Sequence, residues 1–225
     1  MEKISKRFKT EINTIITCND FADAGSFGSL IAASKIFKNS LLFWPNSNEE
    51  NLQNFVEIKK KTLNLNLITH LNKVPTNDIE RVVIVDTSVK ERLLHLGGEL
   101  IEKVEKGEIK AIIFDNHPQN EEKDLKGITH RKAWGSTCSL LVDEIKRINE
   151  SKQEEKIELT KEEATIIAIG IYEDTGAFLF AGTQSEDLKS MAYLKSNYEL
   201  DLLSMMRFFF FFLLFTYFYC IYKKK

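Results

Sequence analysis

Short apolar runs alternate with longer amphipathic stretches along most of the chain. Apolar runs rich in Val and Ile, without polar alternation, predict strands buried on both faces, as in a parallel sheet covered by helices. The predicted strands are residues 12–17, 41–44, 65–69, 82–85 and 111–114, and the predicted helices between and after them are residues 29–37, 52–61, 90–104 and 137–148. This alternation predicts a doubly wound α/β fold with a mainly parallel sheet, whose core spans residues 11–150.

A helical segment is expected after this sheet core. Thr160 and Glu163 have the spacing of a capping box, which predicts that a helix begins there and runs to about residue 172. A further helix is expected from about residue 185. We therefore predict one domain over residues 11–203, of which residues 157–203 form the helical segment.

Residues 204–225 differ from the rest of the chain in composition. Seven of the sixteen Phe lie between Phe208 and Phe218, and the chain ends in three Lys. As a helix, residues 208–222 would be about 22 Å long, short of the ~30 Å hydrocarbon core of a bilayer. Three explanations stay open: aberrant sequence after a truncation or frameshift, a membrane tail anchor with a cationic flank, or an unusual hydrophobic helix.

Composition and charge exclude several classes of protein. The three Cys are far apart in sequence, which argues against a disulfide framework or a zinc ribbon and favours a reducing, cytoplasmic compartment. The charged first ten residues do not fit a secretory signal peptide. The net charge of −2 includes the three terminal Lys, so residues 1–222 carry −5. An acidic body has no general attraction for nucleic acid, and we expect no stable binding to duplexes.

Polar residues follow three of the predicted strands, where open parallel sheets place their ligands. These residues are Asn19, Asp20, Asp23, Asp86, Asp115, Asn116 and His117, and an acidic pair, Glu173–Asp174, ends the capped helix. Carboxylates that converge repel one another, so their convergence needs a cation, and this ligand set suits Mn²⁺ or Mg²⁺. A single Asp after a strand is more often a turn former or a helix cap. The prediction of a metal or phosphate site therefore depends on the cluster.

Gly135, Ser136 and Thr137 open a predicted helix. The free N–H groups and the dipole at a helix start can hold a phosphate, which makes these three residues candidates for phosphate binding. The same triplet can equally be an ordinary Ser/Thr helix cap. Both interpretations stay open at the level of sequence.

Several segments resemble the DHH superfamily of phosphoesterases. The segments are ITCNDFADAGSFGSLIAA at 16–33, VVIVDTSVKERL at 82–93, IIFDNHP at 112–118, WGSTCSLLVDEI at 134–145 and GIYEDTGAFLF at 170–180. The last is the most specific, and it is similar to the DHH domain that opens bacterial fusions of DHH, CBS and poly(A) polymerase/tRNA nucleotidyltransferase modules. The resemblance covers about residues 12–203.

The resemblance implies a hydrolase with two metal ions, usually Mn²⁺, in which a hydroxide between the ions attacks a phosphodiester. The implied substrates are short oligonucleotides or nucleotides. The family places a second, substrate-binding domain after the fourth motif, and only about twenty residues of ordinary composition follow Gly182. We therefore expect that DHH-associated domain to be absent from this chain.

The first family motif supplies one His and two Asp as metal ligands. Aligned on Ser29, these positions fall on Asn19, Asp23 and Gly25, so that only Asp23 keeps the family's residue type. The bridging Asp of the second motif matches Asp86.

The remaining motifs supply a His ligand, a phosphate contact and a further Asp. The third motif matches Asp115-Asn116-His117, with Asn116 at the position of a metal-binding His and His117 at the position of the phosphate contact. The Asp of the fourth motif matches Asp174. We predict Asp115 and His117 as the catalytic residues.

Three expected ligands are thus changed, and this leaves the function open. The chain is expected to be either a manganese-dependent phosphoesterase or a catalytically degenerate, non-enzymatic relative. A third possibility is a membrane-tethered regulator that uses the Phe-rich tail.

Overall fold

A computed structural model of the protein describes residues 12–45, 47–71, 78–151, 155–203, 205 and 207. Its strands are β1 (Thr14–Thr17), β2 (Ser40–Phe43), β3 (Leu67–Ile68), β4 (Arg81–Val85), β5 (Lys110–Asp115) and β6 (Ile128–Arg131). Its α-helices are α1 (Ala24–Ile36), α2 (Glu50–Thr62), α3 (Gly97–Glu105), α4 (Thr137–Glu150), α5 (Lys161–Asp174) and α6 (Ser185–Asn197). All strand pairs are parallel, and the strand order is β3-β2-β1-β4-β5-β6. The predicted doubly wound α/β fold is confirmed.

The central strands are buried on both faces. In β4, Val83 and Val85 belong to the hydrophobic core on one face, whereas Val82 and Ile84 belong to the core on the other. Successive side chains of a strand point to opposite faces of the sheet, so a strand covered on both sides is apolar at nearly every position. The apolar runs in the sequence therefore predicted a parallel sheet covered on both faces correctly.

The strand order reverses between β1 and β4. The chain moves from β1 through β2 to β3 on one side, and from β4 through β5 to β6 on the other, although β1 and β4 are paired directly. Loops that leave neighbouring strands in opposite directions open a crevice at the carboxyl ends of those strands. The fold thus places a potential ligand site where Asn19 and Asp86 follow their strands.

Helices α1 and α5 pack closely and antiparallel over one face of the sheet. A Cβ at Gly170 would lie 3.2 Å from both the Ala24 carbonyl oxygen and the Gly25 Cα, and 2.6 Å from the Cys138 sulfur. A Cβ at Gly28 would lie 3.3 Å from the Ile167 Cα. The contacts of Gly170 with Ala24 and Gly25 place the end of α5 beside the start of α1.

Helix α1 begins five residues earlier than the sequence pattern predicts. The Asp23 Oδ1 accepts a hydrogen bond from the Ser26 backbone N–H at 2.8 Å, so Asp23 is the N-cap. Gly25 and Gly28 lower helix propensity, and the pattern therefore placed the start too late. The Thr160–Glu163 capping box is present as predicted at the start of α5.

Two further segments differ from the sequence prediction. Residues 90–104 do not form one helix, because two 3₁₀ turns (Lys90–Arg92 and Leu94–Leu96) precede α3 and the backbone at Gly97 has a φ of 75°. Strand β6 was not predicted. It is an edge strand whose residues are largely exposed, so it carries no apolar run.

Within residues 204–225, the structure describes only Arg207 and the buried Met205. The Phe-rich part of this tail, from Phe208 onward, lies outside the described residues. Within the part of the chain that the structure describes, no helix is both long enough and apolar enough to cross a bilayer. The explanations offered for the tail therefore stay predictions.

Candidate active site

A cleft of about 350 Å³ lies at the carboxyl ends of β1, β4 and β5. The residues that line it are Asn19, Phe21, Asp23, Asp86, Arg92, Asn116, His117, Gly135 and Asp174. Most of the residues predicted from the sequence therefore come together at one place. Among those predicted, Asp115, Ser136 and Thr137 lie behind the lining and are fully buried.

Asp86 lies on the floor of the cleft, with a left-handed backbone at a φ of 65°. Its Oδ2 accepts hydrogen bonds from the Ser26 hydroxyl at 2.6 Å and from the Asn19 amide at 3.3 Å. Burial and the charge of Asp23 raise the pKa of Asp86 from 3.8 to about 7, against the opposing hydrogen bond from Ser26. The free protein therefore resists a full negative charge at this position.

Three carboxylates converge beside the start of α1. Oxygen atoms of Asp23, Glu173 and Asp174 lie within 4.8 Å of one another. At this distance two full charges repel by about 3.5 kcal/mol at an effective dielectric constant of about 20. Burial, followed by the charge of Asp23, raises the pKa of Glu173 from 4.5 to about 7. Bound protons or a bound cation would therefore relieve the repulsion within this group.

Asp174 occupies the space that a side chain at Gly25 would need. A Cβ at Gly25 would lie 2.2 Å from the Asp174 Oδ1, and the Asp174 Oδ2 accepts a hydrogen bond from the Ser136 hydroxyl at 2.7 Å. Burial, then the charges of Asp86 and Asp23, raises the pKa of Asp174 well above its ordinary value. An Asp at position 25 would force the Asp174 carboxylate out of its present position.

The two Asn residues at the family's His positions hydrogen-bond within the protein. The Asn19 amide nitrogen donates to Ser26 and Asp86, and its oxygen accepts from the Phe21 backbone at 2.8 Å. The Asn116 nitrogen donates to the Trp134 carbonyl at 3.2 Å, and its oxygen accepts from the Thr137 hydroxyl at 2.8 Å. Both ends of each amide therefore already have a protein partner.

His117 is held by the buried carboxylate of Asp115. The His117 Nδ1 donates to the Asp115 Oδ1 at 2.8 Å, and this hydrogen bond raises the pKa of His117 despite partial burial. The imidazole is about half exposed, whereas Asp115 has an exposure of 0%. The buried Asp115 carboxylate therefore fixes the Nδ1 side of the half-exposed imidazole.

A second layer of polar side chains holds Asp115. Its Oδ2 accepts hydrogen bonds from the Ser88 hydroxyl at 2.7 Å and from the Arg131 guanidinium at 3.3 Å. Arg131 also contacts Asp124 at 3.0 Å. Burial alone would raise the pKa of Asp115, but the hydrogen bonds from His117 and Ser88 outweigh it and lower that pKa. Asp115 thus stays ionised beneath the imidazole.

The start of α4 already has an anionic neighbour. The Gly135 backbone N–H donates to the Asp187 Oδ2 at 2.8 Å, and the Ser136 and Thr137 hydroxyls donate to Asp174 and Asn116. Ser136 is also the helix cap, since its Oγ accepts from the Cys138 N–H at 3.0 Å. Contact between this helix start and a phosphate stays a prediction, as do the metal roles given to the individual ligands.

Two lining residues of the cleft, Phe21 and Arg92, are not among the candidates that the sequence offers, because an aromatic residue in a loop and an Arg in a predicted helix carry no signal for a site. Glu173 lies next to the lining residue Asp174 and close to Asp23. By contrast, Asp20 does not enter the cleft, because its carboxylate hydrogen-bonds to His95 and to the Leu94 N–H. The sequence shows that a carboxylate follows a strand, but it does not show whether that side chain points into the cleft.

Comparison with known proteins gives concordant matches. The profile described as "DHH family, N-terminal domain" matches residues 13–171. An A-adding tRNA nucleotidyltransferase of Geobacter sulfurreducens is 29% identical over 181 residues, which are 80% of this chain and 19% of that protein. The bifunctional oligoribonuclease and PAP phosphatase NrnA of Mycoplasma genitalium is 27% identical over 146 residues, which are 61% of this chain and 42% of that protein.

Among solved structures, a family II inorganic pyrophosphatase of Methanococcus jannaschii has the same fold. The TM-score is 0.57 at 17% sequence identity, and the match covers 86% of this chain and 59% of that one. The chain thus spans less than half the length of either relative described above, and their names describe longer proteins.

Proposed function

Because the chain belongs to the DHH family, we propose that it is a divalent-cation-dependent phosphoesterase that hydrolyses phosphodiesters in short oligonucleotides or nucleotides. The observation that carries the proposal is the single cleft in which Asp23, Asp86 and Asp174 face His117 and Arg92. Carboxylates suit a hard cation, and Arg and His⁺ suit phosphate oxygens. The cleft therefore combines the two kinds of group that phosphate ester hydrolysis requires.

The acidic residues fit at least one divalent cation. Three carboxylate oxygens within 4.8 Å of one another are the ligands that Mg²⁺ and Mn²⁺ prefer. A cation bound there supplies positive charge to the phosphoryl oxygens and lowers the pKa of a neighbouring water.

The chain's own residues orient and neutralise the phosphate. The Arg92 guanidinium can pair with a non-bridging oxygen, and His117 presents its Nε2–H to a second oxygen while Asp115 holds its Nδ1. During hydrolysis the water oxygen forms a bond to phosphorus, and the ester P–O bond breaks. The attacking water gives one proton to the solvent, and the departing alkoxide takes one proton from the solvent. The hydrogen bond to Asp115 raises the pKa of His117, which favours the charged imidazole that suits a phosphate oxygen.

A hydrolysis assay on short oligonucleotides tests the proposal. Wild-type protein with Mn²⁺ or Mg²⁺ should release mononucleotides, and chelation should stop the release. Asp86→Asn should lower the rate at least about 100-fold, because the charge is lost while Asn still tolerates the left-handed backbone. Asp143→Asn, an exposed change on α4, is the matched control and should leave the rate unchanged.

A non-enzymatic DHH-like domain is the rival function. Asn19 and Asn116 favour it, because their amides are engaged within the protein at positions where the family has imidazoles. The same assay separates the two functions. A folded wild-type protein that hydrolyses neither oligonucleotides nor nucleotides with either cation would refute the phosphoesterase and support the rival.

A further inference from the structure

Phe21 is an exposed aromatic residue in a cleft whose other lining residues, apart from Gly135, have polar or charged side chains. It is 69% exposed. A single exposed apolar side chain is ordinary on a protein surface and needs no explanation. Phe21 differs from that ordinary case because it lines the same cleft as Arg92 and His117, the groups that suit a phosphate.

Hydrogen bonds fix the backbone of Phe21 relative to the floor of the cleft. The Phe21 N–H donates to the Asn19 Oδ1 at 2.8 Å, and the Asn19 amide nitrogen donates to the Asp86 Oδ2 at 3.3 Å. The next residue, Ala22, is buried in the core. The position of Phe21 is therefore set by the protein, although its side chain meets solvent.

Phe21 and Arg92 are connected through Asp20. The Asp20 N–H donates to the Arg92 carbonyl oxygen at 2.9 Å. The Asp20 carboxylate accepts from the Leu94 N–H at 2.9 Å and hydrogen-bonds to the His95 ring. The loop that carries the aromatic ring and the turn that carries the guanidinium are therefore braced against each other.

A nucleotide presents an anionic phosphate and an aromatic base, joined by a sugar. The cleft offers a cation to the first and an aromatic ring to the second, on two loops that are held together. Its volume of about 350 Å³ is near the lower end of the range for ligand pockets, roughly 300–1,000 Å³. The cleft is therefore suited to one nucleotide unit.

We propose that Phe21 determines the specificity of the site, because the base of the substrate stacks on its ring while Arg92 and His117 hold the phosphate. The inference rests on the proposed function, since it concerns recognition of the same substrate. Every base has a π face, so stacking accepts any base in this position. The site should therefore prefer nucleotides to phosphate esters that lack a base.

Equilibrium binding tests the stacking without any hydrolysis. Isothermal titration calorimetry in the presence of Mg²⁺ compares adenosine 5′-monophosphate (AMP) with ribose 5-phosphate, which has the phosphate and the sugar but no base. The wild-type chain should bind AMP about 5- to 150-fold more tightly, the contribution expected from one base on one aromatic ring. Equal affinities, or binding of neither compound, would overturn the proposal.

Substitutions of Phe21 assign the preference to its ring. Phe21→Ala should remove the advantage of AMP and leave the affinity for ribose 5-phosphate unchanged. Phe21→Trp should keep that advantage, whereas Phe21→Leu, which is apolar but has no aromatic face, should lose most of it. If Phe21→Ala or Phe21→Leu, with normal circular dichroism, retains the full preference for AMP, stacking on Phe21 is refuted.

Leu94→Ala is the matched control for these variants. Leu94 is 71% exposed and lies on the turn that Asp20 connects to Phe21, but it does not line the cleft. The Leu94→Ala variant should bind both compounds as wild type does. An equal loss of the AMP preference in Leu94→Ala would contradict the assignment to Phe21.

Hydrolysis separates this inference from the proposed function. Phe21→Ala should raise the KM for a dinucleotide about 5- to 150-fold and leave kcat nearly unchanged, because stacking binds the substrate and the transition state alike. A chain that binds AMP through Phe21 but hydrolyses no phosphodiester supports the inference and refutes the function. A chain that hydrolyses dinucleotides equally well with and without the Phe21 ring does the reverse.

Discussion

Replacing Glu173 by Gln should stabilise the metal-free protein at alkaline pH. The pKa of Glu173 is raised from 4.5 to about 7 by burial and by the charges of Asp23 and Glu49. The folded protein therefore holds a proton that the unfolded chain has released, and the free energy of unfolding falls as pH rises from about 4.5 through 7. At about 1.4 kcal/mol per pKa unit, the loss reaches about 3 kcal/mol by pH 8.

A Gln at this position cannot ionise, so the variant escapes that loss. Its side-chain oxygen can still accept the hydrogen bond from the Gly25 N–H. In the presence of a chelator, Glu173→Gln should exceed wild type by about 3 kcal/mol at pH 8 and by only about 1 kcal/mol at pH 5. Urea unfolding followed by far-ultraviolet circular dichroism measures both values.

Two controls complete this experiment. Glu57→Gln, an exposed change on α2, should alter the free energy of unfolding little at either pH. Added Mn²⁺ should stabilise wild type more than Glu173→Gln, because a ligand stabilises the folded state in proportion to its affinity. If Glu173→Gln is no more stable than wild type at pH 8, or gains as much at pH 5, the electrostatic reasoning about this cluster is wrong.

Three further substitutions address other parts of the structure. His117→Asn should lower the hydrolysis rate about 100-fold or more. It should also remove the fall in rate that follows His117 deprotonation at high pH, which a pH–rate profile measures. An unchanged profile would exclude the Asp115–His117 pair from the reaction. Thr160→Ala should lower the free energy of unfolding by about 1 kcal/mol in urea without changing the rate, because it removes only the cap of α5. Gly170→Ala should destabilise the protein by about 1–3 kcal/mol and weaken Mn²⁺ binding by separating α1 from α5, whereas Gly182→Ala, which meets open space, should do neither.

Local sequence patterns were sufficient to predict most of the fold. Nearly continuous apolar runs identified the buried parallel strands, since burial on both faces favours apolar side chains at most positions. The capping box at Thr160 was readable because it needs only two residues three positions apart. Strand β6 was not predicted, because an exposed edge strand needs no apolar run.

The sequence also determined which polar residues stand at strand and helix ends, and the DHH resemblance assigned them a chemistry. Only the tertiary structure decided where each side chain points. Asp20 and Asp23 are three residues apart, yet Asp20 contacts His95 whereas Asp23 caps α1 inside the cleft.

The contribution of Glu173 depends wholly on the packing of two helices. Gly170 and Gly28 let α1 and α5 approach until the end of one lies at the start of the other, and this brings Glu173 to the backbone of Gly25. Contacts between residues nearly 150 positions apart leave no periodic or local signal in a single sequence. The sequence therefore specified the elements and the chemical groups, whereas the close approach of these helices decided which carboxylates share one site.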